Sequence, residues 1–178
     1  MSGELVFVTH STSTDNEAGI ASGSRDVSLS ELGRAQAAEL GDRFRGAVDV
    51  VYCSDLKRAI ETAEIAFGTR IRVDARLREQ DYGDRTGAPS VEIERERLAT
   101  VDAPFPRGES LRQVVARMKP FVDELKTSER ALVIGHRATK IGFDVLLGGM
   151  TLEDAVSTPY SWQPGWTYRV GEPVIPSA

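Results

Sequence analysis

Two histidines occur in 178 residues, and each stands one residue beyond a short apolar run. His10 comes after Leu5–Val8 and heads the hydroxyl series Ser11, Thr12, Ser13 and Thr14, with Asn16 beyond it. His136 comes after Ala131–Ile134 and Gly135, and precedes Arg137, Thr139 and Lys140. A third apolar run, Val48–Cys53 broken only by Asp49, leads into Ser54-Asp55-Leu56-Lys57-Arg58. These residue types suit phosphoryl transfer without a metal, which needs a nucleophile, cations for the phosphate oxygens, neutral donors and a proton source. The set is then His10 as nucleophile, Arg58 and protonated His136 on the oxygens, Ser13 and Asn16 as donors, and Glu79 protonating the leaving group.

Each residue also has a plainer reading. A single histidine after a strand is usually structural, but two in equivalent places and none elsewhere favour one shared site. Arg58 falls off the apolar stripe of its helix, in the first turn, where a cation opposes the macrodipole by roughly 0.3–1 kcal/mol; an anion nearby accounts for it better. Arg137 and Lys140 read equally as phosphate ligands or surface charges, with Lys140 leaning to the surface. Trp162 and Trp166 read as closure over the last helix, with a pocket wall as the alternative. A metal site from His10, His136, Glu79 and Asp81 has no close ligand spacing behind it.

Strands must place these groups. Leu5–Val8 fits a strand buried on both faces. If the three apolar runs are parallel neighbours, their polar ends meet on one sheet edge, where open α/β sheets bind ligands. Between them, residues 18–28 form a small, polar loop carrying Gly23 and Arg25. A helix over about 30–45 is capped by Ser28 or Ser30 and presents Gly33, Ala37, Leu40, Gly41 and Phe44, small enough for close packing on the sheet. The stripe Leu56, Ala59, Ile60, Ala63, Phe67 is helical. Ile71–Val73 reads as an edge strand, Leu77–Gly83 as a functional loop, and 90–100 as a solvated surface helix. Ser110 caps a helix that Pro120 should bend. Helices follow over about 139–147 and 151–156, then a strand at Trp166–Val170 and a loosely held Pro-containing tail beyond Gly171.

The length suits one α/β domain over residues 1–178. Net charge is −5 with pI about 5.2, which argues against a general nucleic-acid binder while leaving room for a local cationic pocket. The single cysteine, Cys53, excludes an intrachain disulfide and reads as a buried thiol. No apolar run reaches membrane-spanning length and no basic segment leads into one, so the expected location is the cytoplasm.

From Leu5 to about Val170 the chain resembles the phosphoglycerate-mutase-like branch of the histidine phosphatase superfamily. Thr9-His10-Ser11 stands where that family has its Arg-His-Gly motif, with Ser13 and Asn16 at the matching downstream positions. Ser54–Ala59 is similar to the motif whose arginine binds phosphate, Leu77-Arg78-Glu79 with Tyr82-Gly83 to the acid/base loop, and Gly135-His136 to the second-histidine motif. The resemblance implies a three-layer α/β/α sandwich with a mostly parallel central sheet and no metal or other cofactor. It also implies His10 as phosphoryl acceptor, Arg58 and His136 on the transferring oxygens, and Glu79 as proton donor. Gly23, in the loop that carries Arg25, and Arg137 join Ser13 and Asn16 as expected substrate-binding residues. The departure is Thr9, since loss of one charged donor typically costs about 10²–10³ in rate. Arg25 or Arg137 fills the gap, or the pocket serves another substrate, or the chain binds without turnover. The leading expectation is a phosphatase for a small phosphorylated metabolite. The competing ones are a non-catalytic binder of an anionic ligand and a relative with non-phosphoryl chemistry.

Overall fold

The computed structural model describes residues 3–171. In chain order its elements are β1 (Gly3–Thr9), α1 (Thr14–Glu17), α2 (Glu31–Phe44), β2 (Val50–Cys53), α3 (Lys57–Phe67), β3 (Arg72–Val73), α4 (Ser90–Glu96), α5 (Leu111–Asp123), β4 (Arg130–Gly135), α6 (Arg137–Leu146), α7 (Leu152–Ser157) and β5 (Trp166–Val170). The strands form one sheet in the order β3-β2-β4-β1-β5, parallel except for β5, which runs antiparallel to β1. The expected α/β/α sandwich is therefore present. β4 lies between β2 and β1, so the three apolar runs are neighbours and finish on the same edge.

Strand periodicity explains why these runs are apolar at every position. Val6 and Val8 join Val51, Cys53, Leu132, Ile134, Ala59 and Ala63 under α2 and α3. Leu5, Phe7 and Val133 point to the opposite face, packed with Leu111, Met118, Ile141 and Phe143 of α5 and α6. A polar side chain in either set would be buried without a partner, so the pattern ends only where the strands emerge from the helical layers.

Local signals locate most boundaries. Ser30, not Ser28, caps α2 through Gly33 N (3.1 Å). Gly33 and Gly41 serve close packing, though not against the sheet: a Cβ on Gly33 would lie 1.9 Å from the Thr12 carbonyl oxygen, and one on Gly41 2.5 Å from that of Ala66 in α3. α5 begins with a Ser110–Gln113 capping box and runs on through Pro120 to Asp123. α6 starts two residues earlier than its apolar periodicity suggests, immediately after His136. The 90–100 segment lies at the surface as expected, with Val91, Glu94, Arg95 and Leu98 exposed, but it is not solvated all round. Ile93, Arg97 and Thr100 are buried at helical spacing, and Ile93 packs with Ala21, Tyr82 and Phe105 in a small third core beside the site. No described helix is long and apolar enough to cross a membrane. The stretch from 172 onward, expected to be loosely held, lies outside the described residues.

Candidate active site

His10 leaves the end of β1 with its backbone N–H on the Gly135 carbonyl (2.9 Å), so pairing with β4 sets its position. Its ring Nδ1 lies 2.8 Å from the Ser11 carbonyl oxygen. A carbonyl only accepts, so Nδ1 carries the proton and Nε2 the lone pair. That lone pair faces the Arg58 Nε–H at 3.2 Å. His136 emerges from the end of β4, held by its N–H on Thr139 Oγ1 (3.0 Å). Its ring lies 5.0 Å from that of His10, centroid to centroid, and neither nitrogen has a hydrogen-bond partner although the residue is 1% exposed.

Burial and the Arg58 charge push the His10 imidazolium out of reach, to a pKa of about 3, with the Ser11 carbonyl opposing them. Burial, Arg58 and His10 hold His136 well below its ordinary value. Both rings are therefore neutral near pH 7, which suits a nucleophile at His10. With only two histidines in the chain, proton NMR can follow each ring unambiguously. Neither ring resonance is expected to titrate between about pH 8 and pH 5, whereas unperturbed imidazoles show midpoints near 6.5. Adding inorganic phosphate should bring the His136 midpoint up into that range, because a dianion beside the ring favours its charged form.

Arg58 is 2% exposed, although it lies off the apolar stripe. Its Nη1 donates to Arg25 O (3.0 Å) and Nη2 to Gly23 O (2.8 Å), joining the loop after α1 to the histidine pair. Gly23 takes φ +52°, and a Cβ there would lie 2.9 Å from the Tyr82 ring, so loop and ring meet as only glycine allows. The Glu79 carboxylate accepts three backbone N–H groups: Gln80 (2.8 Å) and Ala138 (3.1 Å) on Oε1, and Arg137 (3.2 Å) on Oε2. Two of these belong to the first turn of α6, so His136 and Glu79 are placed by the same helix end.

Ser13 is fully buried, caps α1 and does not line the cavity. Asn16, its capping-box partner, does line the cavity; the cap occupies Oδ1 (3.0 Å from Ser13 N, 2.9 Å from Ser13 Oγ), leaving its Nδ2 amide for a ligand. Arg25 turns away to Asp15 (2.5 Å). Arg137 lines the cavity. Its guanidinium sits 5.2 Å over the Tyr160 ring, its Nη2 reaches Thr158 O (3.3 Å), and its Nε is buried without a partner. Tyr160 OH in turn lies 3.5 Å from Thr9 Oγ1. Lys140 pairs with Asp144 (2.6 Å), outside this cavity. Of the two tryptophans, Trp166 closes over Phe7 while Trp162 forms cavity wall. Sequence reasoning placed Tyr82 in the acid/base loop and missed Arg97 and Tyr160. The i, i+4 spacing of Ile93 and Arg97 was a signal for Arg97, hidden among charged neighbours. Among the described residues no three of His, Cys, Asp and Glu are grouped to hold a metal ion.

Residues 5–155 match the family model described as the histidine phosphatase superfamily (branch 1). Among named relatives, the chain is 32% identical to a Hydrogenobacter thermophilus protein that bears a phosphoserine phosphatase name, over 84% of this chain and 81% of that one. It is 31% identical to a 2,3-bisphosphoglycerate-dependent phosphoglycerate mutase of a Methylobacterium species, over 96% and 89%. Among solved structures, it is similar to a mycobacterial glucosyl-3-phosphoglycerate phosphatase (TM-score 0.75, 27% identity, 89% of this chain and 85% of that one).

Proposed function

Since the chain belongs to the histidine phosphatase superfamily (branch 1) and is a hydrolase of phosphatase type, we propose that it hydrolyses a small phosphorylated metabolite through a phosphohistidine at His10. The observation that carries this reading is the His10 ring itself: neutral, with Nδ1 fixed on Ser11 O and Nε2 directed at Arg58, 5.0 Å from the second imidazole. Nε2 attacks phosphorus, the bond to the ester oxygen breaks, and Glu79 gives that oxygen a proton. Water then attacks the phosphohistidine, Glu79 takes back a proton, and phosphate leaves with His10 restored. Arg58 and His136, the latter charging as the dianion enters, hold the oxygens while Asn16 and the Gly23 loop frame them. Hydrolysis is favoured over mutase transfer because the stretch between Tyr82 and Pro104 offers little chain with which to retain a transferable phosphate. Quenching turnover of a labelled aryl phosphate in alkaline denaturant should trap the label on His10, stable to base and labile to acid. Phosphate affinity with no trapped label would point instead to a non-catalytic binder.

In this reading Arg137 supplies the cation missing at Thr9. Arg137 lines a cavity shared with both histidines, its Nε is unpartnered, its Nη2 lies 3.5 Å from Glu94, and Tyr160 touches both its guanidinium and Thr9. Arg137→Ala should lower kcat/KM by about 10²-fold, the ordinary effect of losing one charged donor, and adding Thr9→Arg to that variant should recover part of it. A loss of less than about threefold would assign Arg137 to structure alone.

A further inference from the structure

We propose that the leaving group this site accepts is a bulky aromatic or aliphatic ring system carrying no second negative charge; the inference rests on the phosphatase reading above. The cavity holds about 1000 Å³, far more than a phosphoryl group fills, so most of it is left for the remainder of the substrate. Besides the reacting groups, the cavity has apolar walls. α2 contributes Leu40, α4 contributes Val91 and Ile93, and the 159–164 segment contributes Tyr160 and Trp162.

Exposure separates this wall from an ordinary surface. Six large hydrophobic side chains are exposed among the described residues, and three of them, Val91 (56%), Tyr160 (39%) and Trp162 (71%), line this one cavity. Apolar side chains held open to water and gathered around a reactive centre are suited to an apolar ligand. Aromatic walls add face and edge contacts with a ring.

Charge weighs against a second anionic group. Besides the reacting groups, the cations lining the cavity are Arg43 and Arg97, and the acids are Glu39 and Glu94. Arg97 is tied to Glu94 at 2.8 Å and reaches Tyr82 OH at 3.3 Å. Arg43 stands one helical turn from Glu39. A carboxylate or second phosphate needs an arginine fork presented to it; Arg97 is buried and engaged by Glu94, which leaves the exposed Arg43 as the outer cation open to solvent.

Calorimetry of the native protein with three phosphonates, whose P–C bonds it does not cleave, tests this directly: methylphosphonate, phosphonoacetate and naphthylphosphonate. Naphthylphosphonate should bind at least about tenfold more tightly than methylphosphonate, and phosphonoacetate no more tightly. Trp162→Ala, at an exposed position where folding is not at risk, should remove about fivefold of the naphthyl affinity and leave methylphosphonate unchanged. Phosphonoacetate binding best, naphthylphosphonate gaining nothing, none of the three binding, or Trp162→Ala weakening all three alike would each overturn the inference. The matching esters, assayed in parallel, separate it from the phosphatase reading. Preferential naphthyl binding without hydrolysis of any ester leaves the inference standing and removes the phosphatase. Equal kcat/KM for all esters with equal phosphonate affinities does the reverse.

Discussion

His10→Ala should abolish turnover, by at least about 10⁴-fold in kcat, the scale seen when a covalent nucleophile is deleted, and no label should be trapped on the quenched protein. The expectation is large because no other group can substitute. His136 is the only other imidazole, and the first turn of α6 holds it back with both nitrogens buried. Glu79 is tied to three backbone N–H groups. The variant should nonetheless fold, and its stability profile should report the same ring independently of activity. The folded His10 pKa, about 3, lies below the ordinary 6.5, so between those values the unfolded chain binds the extra proton and acidification destabilises the native protein. Each such imidazole contributes up to about 1.4 kcal/mol per pH unit in that window, and the contribution is intact above 6.5. Asp15 and Asp74, whose pKa values are depressed (Asp15 by its bonds to Arg25 and Ser22 against burial, Asp74 chiefly by Arg76), lose their contribution only at lower pH. Thermal melts from about pH 6.5 down to 5 should therefore fall less steeply for His10→Ala than for the native protein, with His136 responsible for most of what remains. Retained turnover, or an unchanged slope, would refute the assignment of His10 as a buried neutral nucleophile.

The sheet and the histidine pair were legible because they rest on local signals that cannot be satisfied in another way. Leu5–Val8, Val50–Cys53 and Ala131–Ile134 are apolar on both strand faces, which only a central parallel sheet accommodates, and the residue after each run must then emerge on one edge. Arg58 was legible by elimination, since it fits neither the stripe of α3 nor its dipole. What stayed hidden depends on long-range pairing. That Ser13 serves a cap and Asn16 the cavity follows from α1, a four-residue helix too short to carry a periodicity. That the 90–100 segment covers the site depends on Ile20 bridging Pro89 and on Ala21 exchanging bonds with Gly87 and Ala88, contacts between segments about seventy residues apart in sequence. Arg97 was read as solvated because its charge outweighed its spacing, whereas burial against Tyr82 and Glu94 satisfies it. Tyr160 carries no motif at all; its meaning comes from the two groups it touches, Thr9 and Arg137.

Arg58→Ala should lower kcat/KM by about 10³-fold while costing less than about 2 kcal/mol of stability, and the contrast between the two is the informative part. Catalytically, the guanidinium is the cation next to the proposed nucleophile, 3.2 Å from His10 Nε2, and it also holds the Gly23 and Arg25 carbonyls. Structurally, its loss leaves those two carbonyls without charged donors, worth about 1.5–3 kcal/mol each. Against that stands the desolvation of a cation only 2% exposed, which is the first cause of its lowered pKa and which alanine relieves. Water entering the vacated space can satisfy the carbonyls, so the opposing contributions nearly cancel for folding and do not cancel for catalysis. Arg58→Lys should recover little activity, because an ammonium cannot direct donors to His10, Gly23 and Arg25 at once. Free guanidinium added to Arg58→Ala should recover more, since it restores the planar fork inside a cavity already shaped for it. A melting temperature that falls in step with activity, with no response to guanidinium, would instead make Arg58 a structural brace for the Gly23 loop and remove it from the phosphate site.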